Sequence, residues 1–530
     1  MFLKLTGKMK KSALPALALA VAFAFFSCSN EDGADYDYES NNAVVNFTLG
    51  SNVLSFDTSF AYDDSLLVGA DNGSYSPALA RFAFALAFDC YDTTKVSLKT
   101  SAKNPSSSYD NTTLYENFGF EDAEYVELSA SDYLADTRDL TNAVFAHKTV
   151  ESGGKKYQIF TVAVQGSSGM DQWFSNFDVG DFSDAATTKT YATLSATHSV
   201  AVAVAAGADA AKQASVQSES ISNYTRLATS FATEHKGFAL ASIRLKKKFE
   251  AYVAEHEVTG SEKIVLLTGH SRGAAIANIL GKVYEDDSGW TSFAYGFATP
   301  RTTTASNASE YKTIFNIVNT DDLVTELPLK SWGFTRYGTD KAASISSTYL
   351  SAWKKTLPLA SDYVSANGED TSYLNGVASG RADLYKLENA SASQCNTFSL
   401  TFDTEAEAIE MFKYLRSYGF GIASYDPYSL FNATATTNAD GSTTYSVPAD
   451  DDGKYTLSAT FRPQFFLNTL VMSICLASSD ATAATKFVTT MCGGFTDLHK
   501  NALYTMSQKI TGFAYSHSAP CYAILAENLK

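Results

Sequence analysis

The sequence predicts an α/β fold whose mainly parallel central sheet is flanked by helices and carries insertions. Strand and helix patterns alternate between residues 238 and 319, which is typical of parallel strands joined by helical crossovers. The chain has 530 residues, of which 45% are hydrophobic and 18% charged, and this is ample for a large buried core. At about 150 residues per domain the length allows three or four domains, but one large domain with insertions also fits.

The first predicted elements precede residue 165. Ser76–Phe88 has apolar residues at helical spacing, which predicts a core helix. Ala143–Val150 and Tyr157–Val164 are rich in β-branched and aromatic residues and flank the turn at residues 151–154. We therefore expect them to form a β-hairpin.

The alternating elements follow, and two stretches interrupt their order. The elements are the helix Phe238–Val253, the strand Ile264–Thr268, the helix Arg272–Tyr284, and the strands Ser292–Phe297 and Thr313–Asn319. Residues 181–232 are rich in Ala, Ser and Thr, and residues 340–490 contain one strand–helix pattern at Ser399–Tyr418. Both stretches are predicted to be insertions.

The first thirty residues are typical of an export signal. Four lysines precede the apolar stretch Ser12–Phe26, whose 15 residues are short for a membrane span of about 20. Residues 25–28 (Phe-Phe-Ser-Cys) resemble a bacterial lipobox, in which the cysteine receives the lipid. We expect a signal peptide at 1–27 and a lipidated Cys28 with an acidic tether at 28–42. The protein would then be an exported, membrane-anchored bacterial lipoprotein on the periplasmic or cell-surface side; an ordinary signal peptide and secretion are the alternative.

The charge balance argues against a nucleic-acid partner. Lys and Arg total 40 and Asp and Glu 57, a net charge of −17, and the one basic cluster after the first eleven residues is Lys246–Lys248. Removal of residues 1–27, which hold four lysines and no acid, would give −21. A lipid anchor rather than charge would hold such a protein at an anionic bilayer. Six cysteines without regular close spacing indicate neither a disulfide scaffold nor a zinc site.

Residues 269–273, Gly-His-Ser-Arg-Gly, match the pattern G-x-S-x-G. An apolar strand leads into the pattern and a helix rich in small residues leaves it, as in a nucleophile elbow, where a sharp turn lifts the serine hydroxyl above the sheet. The helix amino terminus also offers N–H groups to a developing oxyanion. We therefore predict that Ser271 is a nucleophile; a chance glycine-rich turn is the alternative.

Further short patterns between residues 140 and 330 point to one family. In chain order they are Val162–Ser167 (F-R-G-T/S), Asp171–Phe177 (a Trp-bearing segment), His235–Phe238 (H-x-G-F), the elbow with its strand (V-x-x-T-G-H-S-x-G-G), Phe297–Arg301 (F-G-x-P-R) and Asn319–Pro328 (N-x-x-D-x-V-P-x-L-P). Together they resemble the class 3 lipase family, the fungal-lipase-like branch of the α/β-hydrolases. The chain departs from the family where Gln165 replaces Arg, Ala274 replaces Gly and Thr325 replaces Pro.

A serine nucleophile needs a histidine base and a carboxylate that orients it, and α/β-hydrolases place them in the order Ser, acid, His. Alignment of D-x-V puts the acid at Asp322, with the adjacent Asp321 as the alternative. Only His499 and His517 follow in the chain. His499 stands in an H-x-x-x-x-Y pattern that resembles the one around the catalytic histidine of bacterial relatives, so His499 is preferred and His517 is kept as the alternative.

The resemblance also implies the oxyanion donors and the reaction. The N–H of Arg272 follows the nucleophile, and the N–H of Ser167 is the second donor by resemblance. His235 and His270 are expected to be structural. The implied mechanism passes through an acyl-enzyme and requires no metal or cofactor.

The sequence thus predicts a serine ester hydrolase, in the first place a lipase acting on acylglycerols or other lipid esters. Phospholipase, short-chain esterase, serine peptidase and catalytically silent lipoprotein stay open as alternatives. The Trp-bearing segment forms a lid in lipases of the family, but core packing would explain its aromatic residues equally well. The predicted domains are a hydrolase core at 43–339, an insertion or cap at 340–490, and a carboxyl-terminal part of the core at 491–530.

Overall fold

The fold is that of a computed structural model. It describes residues 42–49, 52–91, 94–99, 113–129, 140–167, 176, 196, 200, 203–330, 333–352, 397–417, 431–460, 481–495, 500 and 515–530. The predicted signal peptide, Cys28 and His499 lie outside the described residues, as does the Trp-bearing segment apart from Asn176.

The described residues form strands and helices that we number in chain order. The strands are β1 (Asn42–Leu49), β2 (Asn52–Ser59), β3 (Thr94–Lys99), β4 (Glu121–Ser129), β5 (Leu140–Ser152), β6 (Lys155–Val164), β7 (Glu262–His270), β8 (Trp290–Phe297), β9 (Ile314–Asn319), β10 (Thr339–Ala343), β11 (Thr397–Phe402), β12 (Thr434–Thr437), β13 (Thr443–Ser446) and β14 (Tyr455–Thr460). The helices are α1 (Pro77–Asp89), α2 (Thr113–Glu116), α3 (Ala210–Ser230), α4 (Lys236–His256), α5 (Arg272–Glu285), α6 (Ile345–Thr348), α7 (Glu405–Ser417), α8 (Ala481–Gly494) and α9 (Ala519–Asn528).

A seven-stranded sheet in the order β10-β9-β8-β7-β6-β5-β4 forms the centre of an α/β-hydrolase fold. The strands from β6 to β10 run parallel, while β5 and β4 are antiparallel to their neighbours. The antiparallel edge follows from the predicted hairpin, since Gly153 and Gly154 have φ of 60° and 78° and close a two-residue turn. The predicted mainly parallel sheet is confirmed.

Helices cover both faces of this sheet. Residues of α1 and α9 belong to the apolar core on one face, whereas residues of α4 and α5 belong to the core on the other. The predicted helices at Ser76–Phe88, Phe238–Val253 and Arg272–Tyr284 are confirmed with slightly shifted ends. Such a layered arrangement brings the loops after β6, β7 and β9 to one edge of the sheet, where sites in α/β folds are commonly found.

Several elements were not predicted. An antiparallel sheet in the order β2-β1-β3 contributes Ala43, Val45 and Val96 to the same core as α1. The helix α3 occupies part of the Ala/Ser/Thr-rich stretch that was predicted only as an insertion. These elements lack strong apolar periodicity, so their position depends on tertiary packing rather than on local pattern.

The chain divides into two compact units. The larger comprises residues 23–369 and 513–530, and the smaller comprises residues 1–22 and 370–512. In the smaller unit β11 pairs with β14 and β12 with β13, and the rings of Phe398 and Phe412 both contact that of Phe431. The domain limits given above at 340 and 490 stay predictions. None of the helices in the described part of the chain has the length and apolar character needed to cross a bilayer.

Candidate active site

Ser271 lies at the sharp turn between β7 and α5. Its backbone has φ 58° and ψ −124°, and its N–H donates to the carbonyl of Phe297 at 2.9 Å. A non-glycine residue at positive φ costs free energy and persists only where the surrounding structure holds it. The turn thus has the strained backbone of a nucleophile elbow, and the helix that begins at Arg272 points its amino terminus at the same place.

The glycines on either side of Ser271 are required by space. A Cβ at Gly273 would lie 2.0 Å from the carbonyl oxygen of Val164, on the neighbouring strand β6. A Cβ at Gly269 would lie 2.5 Å from the carbonyl carbon of Gly273. In both cases the obstacle is backbone, which cannot rotate away, so the G-x-S-x-G pattern follows from close packing of the elbow against β6.

Asp322 is a buried hydrogen-bond acceptor just after β9. Its N–H donates to the carbonyl of Asn319 at 2.9 Å, and its Oδ1 accepts from the N–H of Val324 at 2.9 Å. Its Oδ2 accepts from Nδ1 of His517 at 2.7 Å and from the hydroxyl of Tyr522 at 2.6 Å. Burial and the Asp322 carboxylate raise the pKa of Tyr522 well above its ordinary value, so this hydroxyl stays a donor. The carboxylate is held from both sides in one orientation.

The structure brings His517, the second choice of the sequence analysis, to Asp322. Because Nδ1 of His517 donates to the carboxylate, Nε2 is left as the acceptor that a serine proton needs. Asp321, the alternative acid, instead accepts from the hydroxyl of Ser344 at 3.0 and 2.9 Å and from the N–H of Ser346 at 2.9 Å. His499 lies outside the described residues, so its prediction stays a prediction.

A signal for His517 was present in the sequence and was missed. The H-x-x-x-x-Y spacing that favoured His499 also occurs at His517, where it ends on Tyr522. The hydroxyl of Tyr522 binds the same carboxylate oxygen as His517, which gives this spacing a physical purpose. Sequence pattern alone therefore does not separate the two histidines.

His270 connects the elbow to His517. Its ring lies 4.5 Å from that of His517, and its Nε2 donates to the carbonyl of His517 at 2.9 Å. Nδ1 must then accept, and it does so from the hydroxyl of Tyr91 at 2.9 Å. Burial, together with the neighbouring His517, lowers the pKa of His270 well below its ordinary value, so the ring stays neutral. The residue before the nucleophile thus fixes the backbone of His517.

Tyr91 also contacts the turn that follows β6. The backbone N–H of Gly166 interacts with its hydroxyl oxygen, and a Cβ at Gly166 would lie 1.9 Å from that oxygen. A single chain of hydrogen bonds therefore runs from this turn through Tyr91 and His270 to His517. Neither Tyr91 nor Tyr522 was singled out from the sequence, because their partners lie far away in the chain.

Ser167 and Arg272, the predicted oxyanion donors, follow neighbouring strands. β6 and β7 are parallel, with Val164 opposite Gly269, so Ser167 and Arg272 each lie three positions beyond this last pair. The hydroxyl of Ser167 accepts from Nδ2 of Asn176 at 2.7 Å, which leaves its proton available to a ligand. This placement fits two N–H donors converging on one oxyanion.

His235 supports Asn176 from beneath. Its Nδ1 accepts from the N–H of Phe238 at 3.4 Å, at the start of α4, so its Nε2 donates to the carbonyl of Asn176 at 3.2 Å. Burial lowers the pKa of His235 to about 3, and the ring is neutral at physiological pH. The histidine of the H-x-G-F pattern is therefore structural, and it supports the turn at Ser167 through Asn176.

One departure from the family pattern has a structural explanation. Thr325 stands where a proline is usual, and its hydroxyl donates to the carbonyl of Asp322 at 2.9 Å. This hydrogen bond stabilises the turn after β9, so the backbone of Asp322 is held in place without the proline.

Part of the chain matches a known family. Residues 161–332, about a third of the chain, match the family model described as lipase (class 3). This segment contains the turn at Ser167, the elbow at Ser271 and Asp322. No curated protein matches the chain.

Several solved fungal lipases are similar to part of the chain, at low identity and low TM-score. A triacylglyceride lipase from Rhizomucor miehei is 17% identical with a TM-score of 0.30, over 52% of this chain and 83% of that chain. A mono- and diacylglycerol lipase from Aspergillus oryzae is 17% identical with a TM-score of 0.29, over 50% and 79%. A lipase from Rhizopus microsporus var. chinensis is 14% identical with a TM-score of 0.28, over 50% and 72%.

Proposed function

We propose that the protein is a serine hydrolase of lipid esters in which Ser271 is the nucleophile, His517 the base and Asp322 the orienting carboxylate. The observation that carries the proposal is the 2.7 Å hydrogen bond between Asp322 and His517, whose ring lies 4.5 Å from that of His270, the neighbour of a serine held at positive φ. The match of residues 161–332 to lipases of class 3 supports an ester as the substrate. His517 takes the place of His499 in this assignment.

The reaction follows from these positions. Nε2 of His517 removes the proton of Ser271 as the hydroxyl oxygen attacks the ester carbonyl, and Asp322 stabilises the imidazolium. The N–H groups of Arg272 and Ser167 bind the oxyanion of the tetrahedral intermediate. His517 then gives its proton to the leaving alcohol, and a water activated by the same histidine releases the acid from the acyl-enzyme.

The test is covalent labelling combined with a series of esters. We expect a fluorophosphonate to phosphonylate the full chain at one residue, with the adduct found on the peptide of Ser271 by mass spectrometry. We also expect hydrolysis of p-nitrophenyl esters, with kcat/KM rising from acetate towards longer acyl chains. A profile that peaks at acetate would favour a short-chain esterase. Failure to label and to hydrolyse every ester would contradict the proposal and favour a binding scaffold.

We also propose that Cys28 carries the lipid that holds the protein to a membrane. The support is the basic head, the short apolar stretch and the lipobox-like residues before Cys28. Cys28→Ala is expected to move the protein from the membrane fraction to the soluble fraction of the expressing cells. Detection by immunoblot, with the parent chain beside it, gives the comparison. Unchanged membrane association of the variant would overturn this anchor.

A further inference from the structure

Three side chains that the ester hydrolysis does not use converge near the edge of the sheet. Asp122 lies on β4, His147 on β5, and His256 is the last residue of α4. Oδ2 of Asp122 lies 3.4 Å from Nε2 of His147 and 3.5 Å from Nδ1 of His256, and the three ligand atoms lie within 4.8 Å of one another. In the sheet His147 pairs with Phe160 of β6, which pairs with Val265 of β7, six positions before Ser271.

The two separations from Asp122 suit a tetrahedral metal ion. Zinc takes imidazole nitrogen and carboxylate oxygen at about 2.0–2.1 Å, and two ligands of a tetrahedral ion at that distance are about 3.3–3.4 Å apart. The two measured Asp122 distances, 3.4 and 3.5 Å, are close to this value. Two imidazoles and one carboxylate with a fourth position left to water are a ligand set that zinc adopts in proteins.

His147 is the second observation that points to a ligand. It is buried, with a side-chain exposure of 8%; within the part of the chain that the structure describes, Nε2 faces the Asp122 carboxylate at 3.4 Å and Nδ1 makes no hydrogen bond. A buried imidazole nitrogen without a close hydrogen bond is costly, and a metal ion between Nε2 and the carboxylate would satisfy that nitrogen.

The backbone around the group is fixed by further hydrogen bonds. Asp122 has φ 47°, and the β4–β5 register shifts between Glu121 and Glu124, so a bulge turns this carboxylate towards α4. The hydroxyl of Tyr252 donates to the carbonyl of Asp122 at 2.8 Å. Nε2 of Gln158 donates to the carbonyl of His256 at 2.7 Å and holds the end of α4. These hydrogen bonds fix the backbone of Asp122 and His256, and so limit where their side chains can lie.

We propose that Asp122, His147 and His256 bind one zinc ion, with water as the fourth ligand, and that the ion ties the end of α4 to the edge strand β4. The site is separate from the hydrolytic residues, so its role is stability rather than chemistry on the ester. The three positions have no recognisable spacing in the sequence, because each is supplied by a different element.

The test is metal binding by the full chain. After removal of metals, we expect calorimetric titration with zinc sulfate to give one site per chain, and thermal unfolding to shift to higher temperature with zinc. Cobalt(II) at the same site should give the strong visible absorption of tetrahedral coordination. Asp122→Asn and His256→Ala should each lower zinc affinity by at least about 100-fold, since loss of even an outer-shell partner costs 10–100-fold.

The controls separate this site from adventitious binding and from misfolding. Asn tolerates positive φ, so Asp122→Asn keeps the backbone of the bulge, and it should hydrolyse esters like the parent in metal-free buffer. His517→Asn removes a histidine elsewhere and should keep the zinc affinity of the parent. No zinc uptake by the parent, undiminished uptake by both ligand variants, or loss of uptake in His517→Asn would each overturn the proposal.

Discussion

Replacing Ser271 with alanine is expected to lower kcat for ester hydrolysis by at least about 10⁴-fold, because no other group at the elbow can form the acyl-enzyme. The protein should keep its stability, since the hydroxyl makes no cap of α5 and the strained backbone is imposed by β6 and β8 rather than by the side chain. The measurement is the rate of p-nitrophenyl ester hydrolysis under saturating substrate, with fluorophosphonate labelling in parallel and urea unfolding as the check on folding.

Ser309→Ala is the matched control. Ser309 is an exposed serine in the same unit of the fold, away from the elbow, and its loss should change neither the rate nor the labelling. A Ser271→Ala variant that still binds the fluorophosphonate covalently would show that another residue is the nucleophile. A variant that retains a tenth of the parental kcat would contradict the acyl-enzyme mechanism itself.

The elbow could be predicted because the residues that form it are contiguous: the apolar strand, the two glycines and the helix of small residues. The reason for the glycines is not local, since a Cβ at Gly273 would meet Val164 on the neighbouring strand β6. The parallel strands and their crossover helices could also be predicted, because their periodicity is strong. Asp322 was chosen over Asp321 from the resemblance of Asn319–Pro328 to the family pattern, and it lies three residues after the end of the buried strand β9.

The choice of histidine could not be made from the sequence. His499 and His517 both precede a tyrosine by five positions, and both follow the acid in chain order. Whether a histidine near the carboxyl end reaches β9 depends on how residues about 200 positions apart meet, and local pattern does not record this. In the structure α9 packs in the same core as α1, which brings the residues before α9 to Asp322 and His270.

Long-range hydrogen bonds also explain why the supporting residues were missed. Tyr91 meets His270 from 179 positions away, and Tyr522 meets Asp322 from 200 positions away. No periodicity records which distant residue a tyrosine meets, since a tyrosine in a buried helix or loop has the same pattern whether its hydroxyl is used or not. The structure assigns them because buried hydroxyls take hydrogen-bond partners.

Alanine variants of His517 and His499 are expected to differ strongly in kcat. His517→Ala should lower kcat by at least about 10³-fold, because Ser271 then lacks a base and Asp322 has no imidazolium to stabilise. KM should change far less, because the histidine transfers a proton and does not contact the acyl chain. The rate of p-nitrophenyl ester hydrolysis, measured over a range of substrate concentrations, separates kcat from KM.

His499→Ala is the matched control for this prediction, and we expect it to keep kcat within about threefold of the parent. Residues that act as one unit are not additive, so the double variant Ser271→Ala/His517→Ala should be no slower than Ser271→Ala alone. If His499→Ala loses activity and His517→Ala does not, the hydrogen bond at Asp322 is structural and the histidine first preferred from the sequence is the base. If His517→Ala is inactive and unfolds at the same urea concentration as the parent, the loss is chemical, because the fold has survived without the imidazole.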